Sequence, residues 1–254
     1  MTDLAVQRFR SRDGVELAWR EIGDGQPAVL LHGLMGSGTL MADSRLALVL
    51  ADRGYRVILP DLRGHGDSGR PHDPACYPPD VLADDGLALI DHLGLVDYHL
   101  GGYSLGAKLV LRLLARGARP TRAVAAGQGL DALDAETDRT DGYRRLLAAM
   151  ANGDAFEPGS REEGFAGWIT QTGADPRAIG LLLDSFVATP QDALRQVPTP
   201  TLVVVGDGDS RGASAGELTA LLPNGQLVVV PGDHGTALDA PEFTAAVLDF
   251  LGLG

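Results

Sequence analysis

The chain has 254 residues, of which 44% are hydrophobic and 22% are charged, a composition that suits one large domain with a sizeable core and argues against wholesale disorder. Its formal net charge of −13 argues against a nucleic-acid binder and against adhesion to anionic membranes, because both need a basic surface. The single cysteine, Cys76, excludes an internal disulfide framework, and no histidine or cysteine spacing predicts a metal site. The N-terminal segment carries charge without an apolar run of signal-peptide type, so we expect a cytoplasmic protein.

Strand-like and helix-like segments alternate along most of the chain. The alternating residues 15–20 follow the turn pair Asp13-Gly14 and predict an N-terminal hairpin. Short apolar runs predict buried strands at residues 28–31, 55–59, 98–102, 122–126, 201–205 and 226–230. Helical patterns fall at residues 40–52, 80–93, 105–116, 214–222 and 241–251. Ser214 and Glu217 have the form of a capping box at the start of the fourth helix. This order predicts an α/β protein with a mostly parallel sheet covered by helices on both faces.

The alternation breaks between about residues 127 and 197, a stretch that is long for a single crossover connection. Helical patterns within it predict a small helical lid after the sixth sheet-forming run, and they fall at residues 142–150, 160–170 and 175–187. We place this lid at about residues 130–189 of a single domain, residues 1–254. The core of that domain then comprises residues 1–129 and 190–254.

The strongest chemical signal is the sequence Gly-Tyr-Ser-Leu-Gly at residues 102–106, which fits the pattern G-x-S-x-G. It follows a predicted strand and opens a predicted helix, as a nucleophile elbow requires. A serine on such a tight turn has strained backbone angles and needs small neighbours, which Gly102 and Gly106 provide. Ser104 is therefore the predicted nucleophile.

A serine hydroxyl is a weak nucleophile without a base, and a histidine base needs an acid that holds its tautomer. His234 follows the last predicted strand and is the predicted base. The loop after the strand at residues 201–205 reads Gly-Asp-Gly-Asp, so Asp207 or Asp209 can supply the acid. Both loops face the same sheet edge, because parallel strands present their carboxyl ends together.

Acyl transfer also needs two backbone N–H groups that point at the developing oxyanion. Leu105, the residue after the predicted nucleophile, supplies one of them. The glycine-rich loop at residues 32–37 supplies the other, with Leu34 as the candidate and Met35 as the alternative.

A substrate pocket is expected under the lid, beside the predicted nucleophile. Apolar side chains of the lid helices either pack the lid onto the core or line this pocket. The predicted pocket residues are Met35, Tyr103, Phe165, Trp168 and Phe186.

Five motifs in a fixed order carry a family resemblance. They are HGLMGSG at residues 32–38, DLRGHGDSGRP at 61–71, GYSLG at 102–106, GDGD at 206–209 and PGDHGTALDAPEF at 231–243. With them the sequence resembles the α/β-hydrolase superfamily, in its serine-nucleophile, lidded esterase-like branch, over essentially its full length. The resemblance implies an eight-stranded, mostly parallel sheet, a lid after strand six and no cofactor.

The resemblance also distinguishes among the candidate acids. In that superfamily the acid usually occupies the last residue of a G-x-x-D pattern, which here falls on Asp209 rather than Asp207. Some relatives place the acid after strand six, so Asp131 and Asp134 stay open as alternatives.

The serine at the elbow separates the chain from haloalkane dehalogenases and epoxide hydrolases, which use an aspartate there. We expect a serine hydrolase, specifically a carboxylesterase that cleaves a small or medium ester through an acyl-enzyme. The alternatives are a menaquinone-pathway-type lyase, a cofactor-free haloperoxidase or perhydrolase, and a non-catalytic small-molecule receptor of the same fold. The expected partner is a small-molecule ester, with neither nucleic acid nor a membrane, and the oligomeric state is left open.

Overall fold

The computed structural model describes residues 4–253, so residues 1–3 and 254, at the ends of the predicted domain, lie outside the described residues. Within residues 4–253 eight strands form one sheet. The strands are β1 Gln7–Arg10, β2 Glu16–Ile22, β3 Gln26–Leu31, β4 Tyr55–Pro60, β5 His99–Tyr103, β6 Arg122–Ala126, β7 Thr201–Gly206 and β8 Gly225–Val230. Their order across the sheet is β1-β2-β4-β3-β5-β6-β7-β8.

Ten α-helices lie between or after these strands within the same described residues. The helices are α1 Gly38–Ala42, α2 Arg45–Asp52, α3 Val81–His92, α4 Leu105–Ala115, α5 Asp138–Asn152, α6 Arg161–Gln171, α7 Pro176–Asp184, α8 Gln191–Leu194, α9 Ala215–Leu221 and α10 Pro241–Leu251. None of the helices in the described chain has both the length and the apolarity needed to cross a bilayer.

The pairing of the strands confirms the predicted fold class, a mostly parallel sheet that opens with an antiparallel hairpin. β1 pairs with β2 and β2 with β4 in antiparallel fashion, whereas the pairs from β3 to β8 are all parallel. The chain moves from β3 outward to β4 and then returns to place β5 on the other side of β3. This reversal is a topological switch point, where a crevice forms at the carboxyl ends of two strands. The loops after β3 and β5 meet there, because Leu31 is in register with Gly102.

The sheet is covered on both faces because its central strands are apolar on both sides. In β3, Val29 and Leu31 pack against a cluster that includes α3 and α4. Ala28 and Leu30, which point to the opposite face, pack against a cluster that includes α2 and α10. The period-2 alternation of a strand divides consecutive apolar residues between two cores, and this explains why the sequence shows near-continuous apolar runs.

Three local predictions were wrong. The predicted helix at residues 40–52 is two helices, α1 and α2, because the Ser44 hydroxyl accepts a hydrogen bond from the Ala47 N–H and begins a second helix. Ser214 does not form a capping box, since its hydroxyl accepts instead from the distant Leu130 N–H at 2.8 Å. The last strand, predicted to be buried, lies at the sheet edge, where Val229 is 57% exposed.

Helices α5, α6 and α7 lie between β6 and β7, and we call them the helical insertion. They share an apolar cluster of their own, formed by Leu147, Ile169, Ile179 and Leu183. Met35, from the loop after β3, belongs to the same cluster and joins the insertion to the core. The insertion therefore sits above the carboxyl ends of β3 and β5. The boundaries of a lid at residues 130–189 stay a prediction.

Candidate active site

Ser104 lies at the turn between β5 and α4, where its backbone adopts φ 57° and ψ −113°. This left-handed φ is strained for a residue with a side chain, and such strain persists only where the surroundings enforce it. The Ser104 N–H donates to the Ala126 carbonyl at 2.8 Å and holds one side of the turn. A Cβ atom at Gly106 would overlap the Leu31 carbonyl, so the strand and helix can approach this closely only with glycine there. The turn thereby points the Ser104 hydroxyl into the crevice.

His234 connects Ser104 to Asp209. Its Nε2 atom lies 3.0 Å from Ser104 Oγ, and its Nδ1 atom lies 2.7 Å from Asp209 Oδ2. The Asp209 carboxylate is only 1% exposed, and its other oxygen accepts the Arg211 backbone N–H at 2.9 Å. Because a carboxylate only accepts, the proton of neutral His234 sits on Nδ1, and the Nε2 lone pair faces the serine hydroxyl.

The other candidate acids lie elsewhere. Asp207 accepts the Gly232 N–H at 3.0 Å, so it braces the loop after β8 and does not contact the His234 ring. Asp131 lies in the cavity wall described below, and the backbone carbonyl of Asp134 accepts a hydrogen bond from Lys108. Of these acids, only Asp209 is hydrogen-bonded to His234 in the described chain.

Two buried histidines hold the loop after β3. His32 Nε2 accepts the Leu62 N–H at 3.0 Å, and His32 Nδ1 donates to the Gly33 carbonyl at 2.7 Å. His65 Nε2 contacts the Leu34 carbonyl, and burial lowers the pKa of both rings below the ordinary histidine value. The loop is therefore held by two buried imidazole rings.

The amide groups of Leu34 and Leu105 both belong to residues that line the cavity beside Ser104. Within residues 4–253 neither N–H donates to a protein acceptor. Leu105 is the first residue of α4, where helix geometry provides no intrahelical partner for its N–H. Two donors without protein acceptors thus border the site.

A cavity of about 720 Å³ opens between Ser104 and the helical insertion. All five predicted pocket residues line it. Met35 and Tyr103 come from the core, and Phe165, Trp168 and Phe186 come from the insertion and the segment after it. The Tyr103 hydroxyl also donates to the His234 carbonyl at 2.8 Å and so braces the histidine loop.

Arg211 is a site residue that the sequence analysis missed. Its Nη1 atom lies 2.9 Å from Ser104 Oγ and 2.5 Å from His234 Nε2, and its Nη2 atom donates to the Tyr143 hydroxyl at 3.1 Å. Arg211 follows Asp209 by two residues, in the same loop after β7. The sequence feature that could have identified Arg211 is its position, because it is a cationic residue beside the candidate acid in a loop at the end of a strand.

Burial and the neighbouring Arg211 guanidinium both favour the neutral form of His234. Burial lowers its pKa most, the Arg211 guanidinium lowers it further, and the Asp209 carboxylate opposes both. Lys108 also lines the cavity, and burial lowers its pKa to about 8. The site therefore presents a neutral imidazole base beside a buried carboxylate. Within residues 4–253 no group of three or more histidine, cysteine or acidic side chains could hold a metal ion.

Comparisons with known proteins give a consistent assignment. The family model described as "Alpha/beta hydrolase family" matches residues 28–247. A non-heme haloperoxidase of Rhodococcus erythropolis is 32% identical over 274 residues, which cover 94% of this chain and 97% of that protein. A hydrolase from Pseudomonas aeruginosa PA01 has a TM-score of 0.77 and 26% identity, with 97% of this chain and 98% of that chain covered.

The esterase RhEst1 from Rhodococcus sp. ECU1013 has a TM-score of 0.72 and 26% identity, with 99% of this chain and 100% of that chain covered. These similarities extend over the sheet, the helices and the loops that carry Ser104, Asp209 and His234. The family model alone covers most of the chain. On this fold and these matches, the chain belongs to the alpha/beta hydrolase family.

Proposed function

We propose that this protein is a serine hydrolase, specifically a carboxylesterase that cleaves small or medium esters through an acyl-enzyme. The observation that carries the proposal is the hydrogen-bonded series Ser104–His234–Asp209 on a strained turn that opens into a cavity. A serine, a neutral imidazole and a buried carboxylate in this order form the arrangement that activates a hydroxyl nucleophile.

In the first half-reaction His234 Nε2 takes the Ser104 proton while Ser104 Oγ attacks the ester carbonyl. The oxyanion is held by the N–H groups of Leu34 and Leu105, and the N-terminus of α4 adds a favourable partial charge. His234 then passes its proton to the leaving alcohol. Asp209 stays ionised and stabilises the imidazolium.

In the second half-reaction a water molecule replaces the alcohol. His234 takes a proton from the water, the resulting hydroxide attacks the acyl carbonyl, and Ser104 recovers its proton as the acid leaves. The helical insertion acts as a lid whose aromatic residues supply an apolar wall of the substrate pocket. No cofactor enters either half-reaction.

A perhydrolase or haloperoxidase activity is the second candidate, because the Rhodococcus erythropolis relative, at 32% identity, is named a non-heme haloperoxidase. The same acyl-enzyme would serve both activities. Hydrogen peroxide would attack it in place of water, release a peracid and regenerate the serine, and the peracid would then oxidise a halide.

The esterase proposal is tested by labelling and by turnover. A fluorophosphonate should label Ser104 and no other serine, and p-nitrophenyl esters from acetate to decanoate should be hydrolysed. Ser104→Ala should lose roughly six orders of magnitude in kcat, by analogy with removal of the nucleophile in other serine hydrolases. Labelling at Ser37 or Ser68 would contradict the assignment, and labelling of Ser104 without turnover of any ester would indicate a receptor.

The two proposed enzyme activities differ in the molecule that attacks the acyl-enzyme, which is water for an esterase and hydrogen peroxide for a perhydrolase. The wild-type protein is supplied with acetate, bromide and hydrogen peroxide, and bromide oxidation is followed beside ester hydrolysis. A perhydrolase should oxidise bromide in a Ser104-dependent manner, whereas an esterase should show ester turnover alone.

A further inference from the structure

Arg211 occupies an unusual position for an arginine side chain. Its guanidinium contacts the neutral atoms Ser104 Oγ, His234 Nε2 and Tyr143 Oη, and no carboxylate side chain among residues 4–253 forms a salt bridge with it. By contrast, Arg63 in the core pairs with two carboxylates. A guanidinium is shaped to bind two carboxylate oxygens side by side, and Arg211 presents that shape to the cavity.

Cations outnumber carboxylates among the charged side chains that line the cavity. Lys108, Arg139 and Arg211 line it, and Asp131 is the carboxylate in the same wall. The protein carries a formal net charge of −13, so this local excess of cations runs against the rest of the molecule. A cleft of one sign concentrates ligands of the opposite sign, and this cavity accordingly favours an anion.

In this position Arg211 competes with Ser104 for a hydrogen bond to His234 Nε2. Neutral His234 has one lone pair on Nε2, and both the Arg211 Nη1–H and the Ser104 hydroxyl are placed to donate to it. General-base catalysis requires that the serine proton takes that lone pair. A ligand carboxylate would form stronger, charge-assisted hydrogen bonds with the guanidinium and so release the imidazole.

We propose that Arg211 binds a carboxylate of the substrate and that the protein acts on monoesters of short dicarboxylic acids. This inference rests on the proposed esterase function. Arg211 Nη1 lies 2.9 Å from Ser104 Oγ. The attacked carbon must lie about 3–3.5 Å from Oγ, and a paired carboxylate oxygen about 2.7–2.9 Å from the guanidinium. These distances leave at most about 9 Å between the attacked carbon and the paired carboxylate oxygen, a range that a short dicarboxylate such as a succinate monoester fits.

The carboxylate belongs to the acyl half of the ester. Both half-reactions need the Nε2 lone pair, first for the serine proton and then for the water proton. A carboxylate in the alcohol half would leave with the alcohol, and Arg211 would return to Nε2 before water attacks. A carboxylate in the acyl half keeps Arg211 occupied until the free dicarboxylate is released. For monoethyl succinate, the Ser104 Oγ–carbon bond replaces the carbon–ethoxide bond, His234 protonates the leaving ethoxide to give ethanol, and water then hydrolyses the acyl-enzyme to succinate.

The test compares monoethyl succinate with ethyl 4-oxopentanoate, a neutral ester of nearly the same shape, by ethanol release. The wild-type protein should prefer the succinate monoester by about tenfold or more in kcat/KM, the scale of one charge-assisted contact. Arg211→Gln should lose that preference, because the amide keeps a hydrogen-bond donor but has no charge to pair with the carboxylate. Arg161→Gln removes a positive charge from an exposed lid helix position that does not line the cavity, and it should keep the wild-type preference.

A binding measurement gives an independent readout. Ser104→Ala should bind monoethyl succinate in a calorimetric titration, and Ser104→Ala with Arg211→Gln should bind it at least about tenfold more weakly. Equal kcat/KM for the two esters in the wild-type protein, or an equal loss on both in Arg211→Gln, would overturn the inference and leave the esterase function standing. Preference for O-acetyl lactate over isopropyl acetate would place the carboxylate in the alcohol half and also overturn it. If no ester is cleaved and Ser104 is not labelled, the proposed function itself fails.

Discussion

The Asp209 carboxylate is the most constrained acidic group at the site. It is almost fully buried, it accepts the His234 Nδ1–H, and its second oxygen is held by the Arg211 N–H. A buried carboxylate with both oxygens engaged has little freedom to rotate away from the imidazole. Asp207, two residues earlier, is exposed and serves the backbone of the neighbouring loop.

Asp209→Asn should lower kcat on the order of 10⁴-fold near neutral pH, because an amide can donate to Nδ1 and thus favours the wrong tautomer. The Asp209 carboxylate raises the His234 pKa against burial and Arg211. Its removal should therefore move the acidic limb of the kcat/KM profile to lower pH. The measurement is a pH–rate profile of each variant on a p-nitrophenyl ester.

The matched control is Asp207→Asn, which should cost less than about tenfold, as expected for a turn residue. A large loss in Asp207→Asn, with a small loss in Asp209→Asn, would reverse the assignment. Small losses in both would direct attention to Asp131 and Asp134.

At the scale of single residues, a functional role can be predicted from the sequence when a local sequence pattern determines it. Ser104 lies in a motif that forces a strained turn, and His234 follows the last strand, so both could be recognised from their context. The contact between Arg211 and Tyr143 could not be predicted from the sequence, because it forms between the loop after β7 and a helix of the helical insertion. Long-range contacts between a lid and a loop leave no periodic signal in the sequence.

Among the elements, α6 contributes an aromatic wall to the cavity. Phe165 and Trp168 stack with their ring centroids 5.3 Å apart, and Trp168 remains 46% exposed although it lines the cavity. A large side chain that packs so incompletely contributes little to the core of the insertion, which is formed by Ile169 and its partners. Such a ring is available for contact with a ligand.

Trp168→Ala should raise KM for p-nitrophenyl decanoate several-fold and leave KM for the acetate nearly unchanged, because only the longer chain reaches the insertion. Trp168→Phe keeps an aromatic surface and should retain most of the affinity for the decanoate. Steady-state kinetics on both esters give the comparison. An equal change in KM for acetate and decanoate would mean that α6 does not form part of the acyl pocket.

Two of the three errors in element prediction depend on which partner a serine hydroxyl finds. The split between α1 and α2 depends on the hydrogen bond that the Ser44 hydroxyl accepts from a backbone N–H. The Ser214 hydroxyl does not cap its own helix, because it accepts a hydrogen bond from a residue 84 positions away in sequence. In both cases the prediction depends on the partner of one serine hydroxyl, which can bond either a neighbouring or a distant backbone group. Likewise, an apolar strand such as β8 is read as buried, but its place at the edge follows from the order of the whole sheet.

At the scale of the whole molecule, the protein buries several neutral histidines. Burial lowers the pKa of His32, His65, His99 and His234 below the ordinary value of 6.5. In the unfolded chain each would accept a proton as the pH falls through about 6.5, whereas in the folded protein each resists protonation. The unfolded state then binds more protons, so the free energy of unfolding should fall on acidification below pH 6.5.

His99 isolates this effect, because it lies in β5 away from Ser104 and its buried Nδ1 atom has no partner within the described chain. His99→Leu removes one depressed histidine pKa, one unsatisfied buried polar atom and the 3.5 Å contact between His99 Nε2 and the Tyr55 hydroxyl. Above pH 7 the histidine is neutral in both states, so the variant and the wild-type protein should show parallel pH dependence and similar stability. Between pH 6.5 and 5 the wild-type free energy of unfolding should fall more steeply, by at most about 1.4 kcal/mol per pH unit for one proton. Urea denaturation at pH 5, 6, 7 and 8 gives both slopes, and equal slopes below pH 6.5 would show that His99 is protonated as readily in the folded protein as in the unfolded chain.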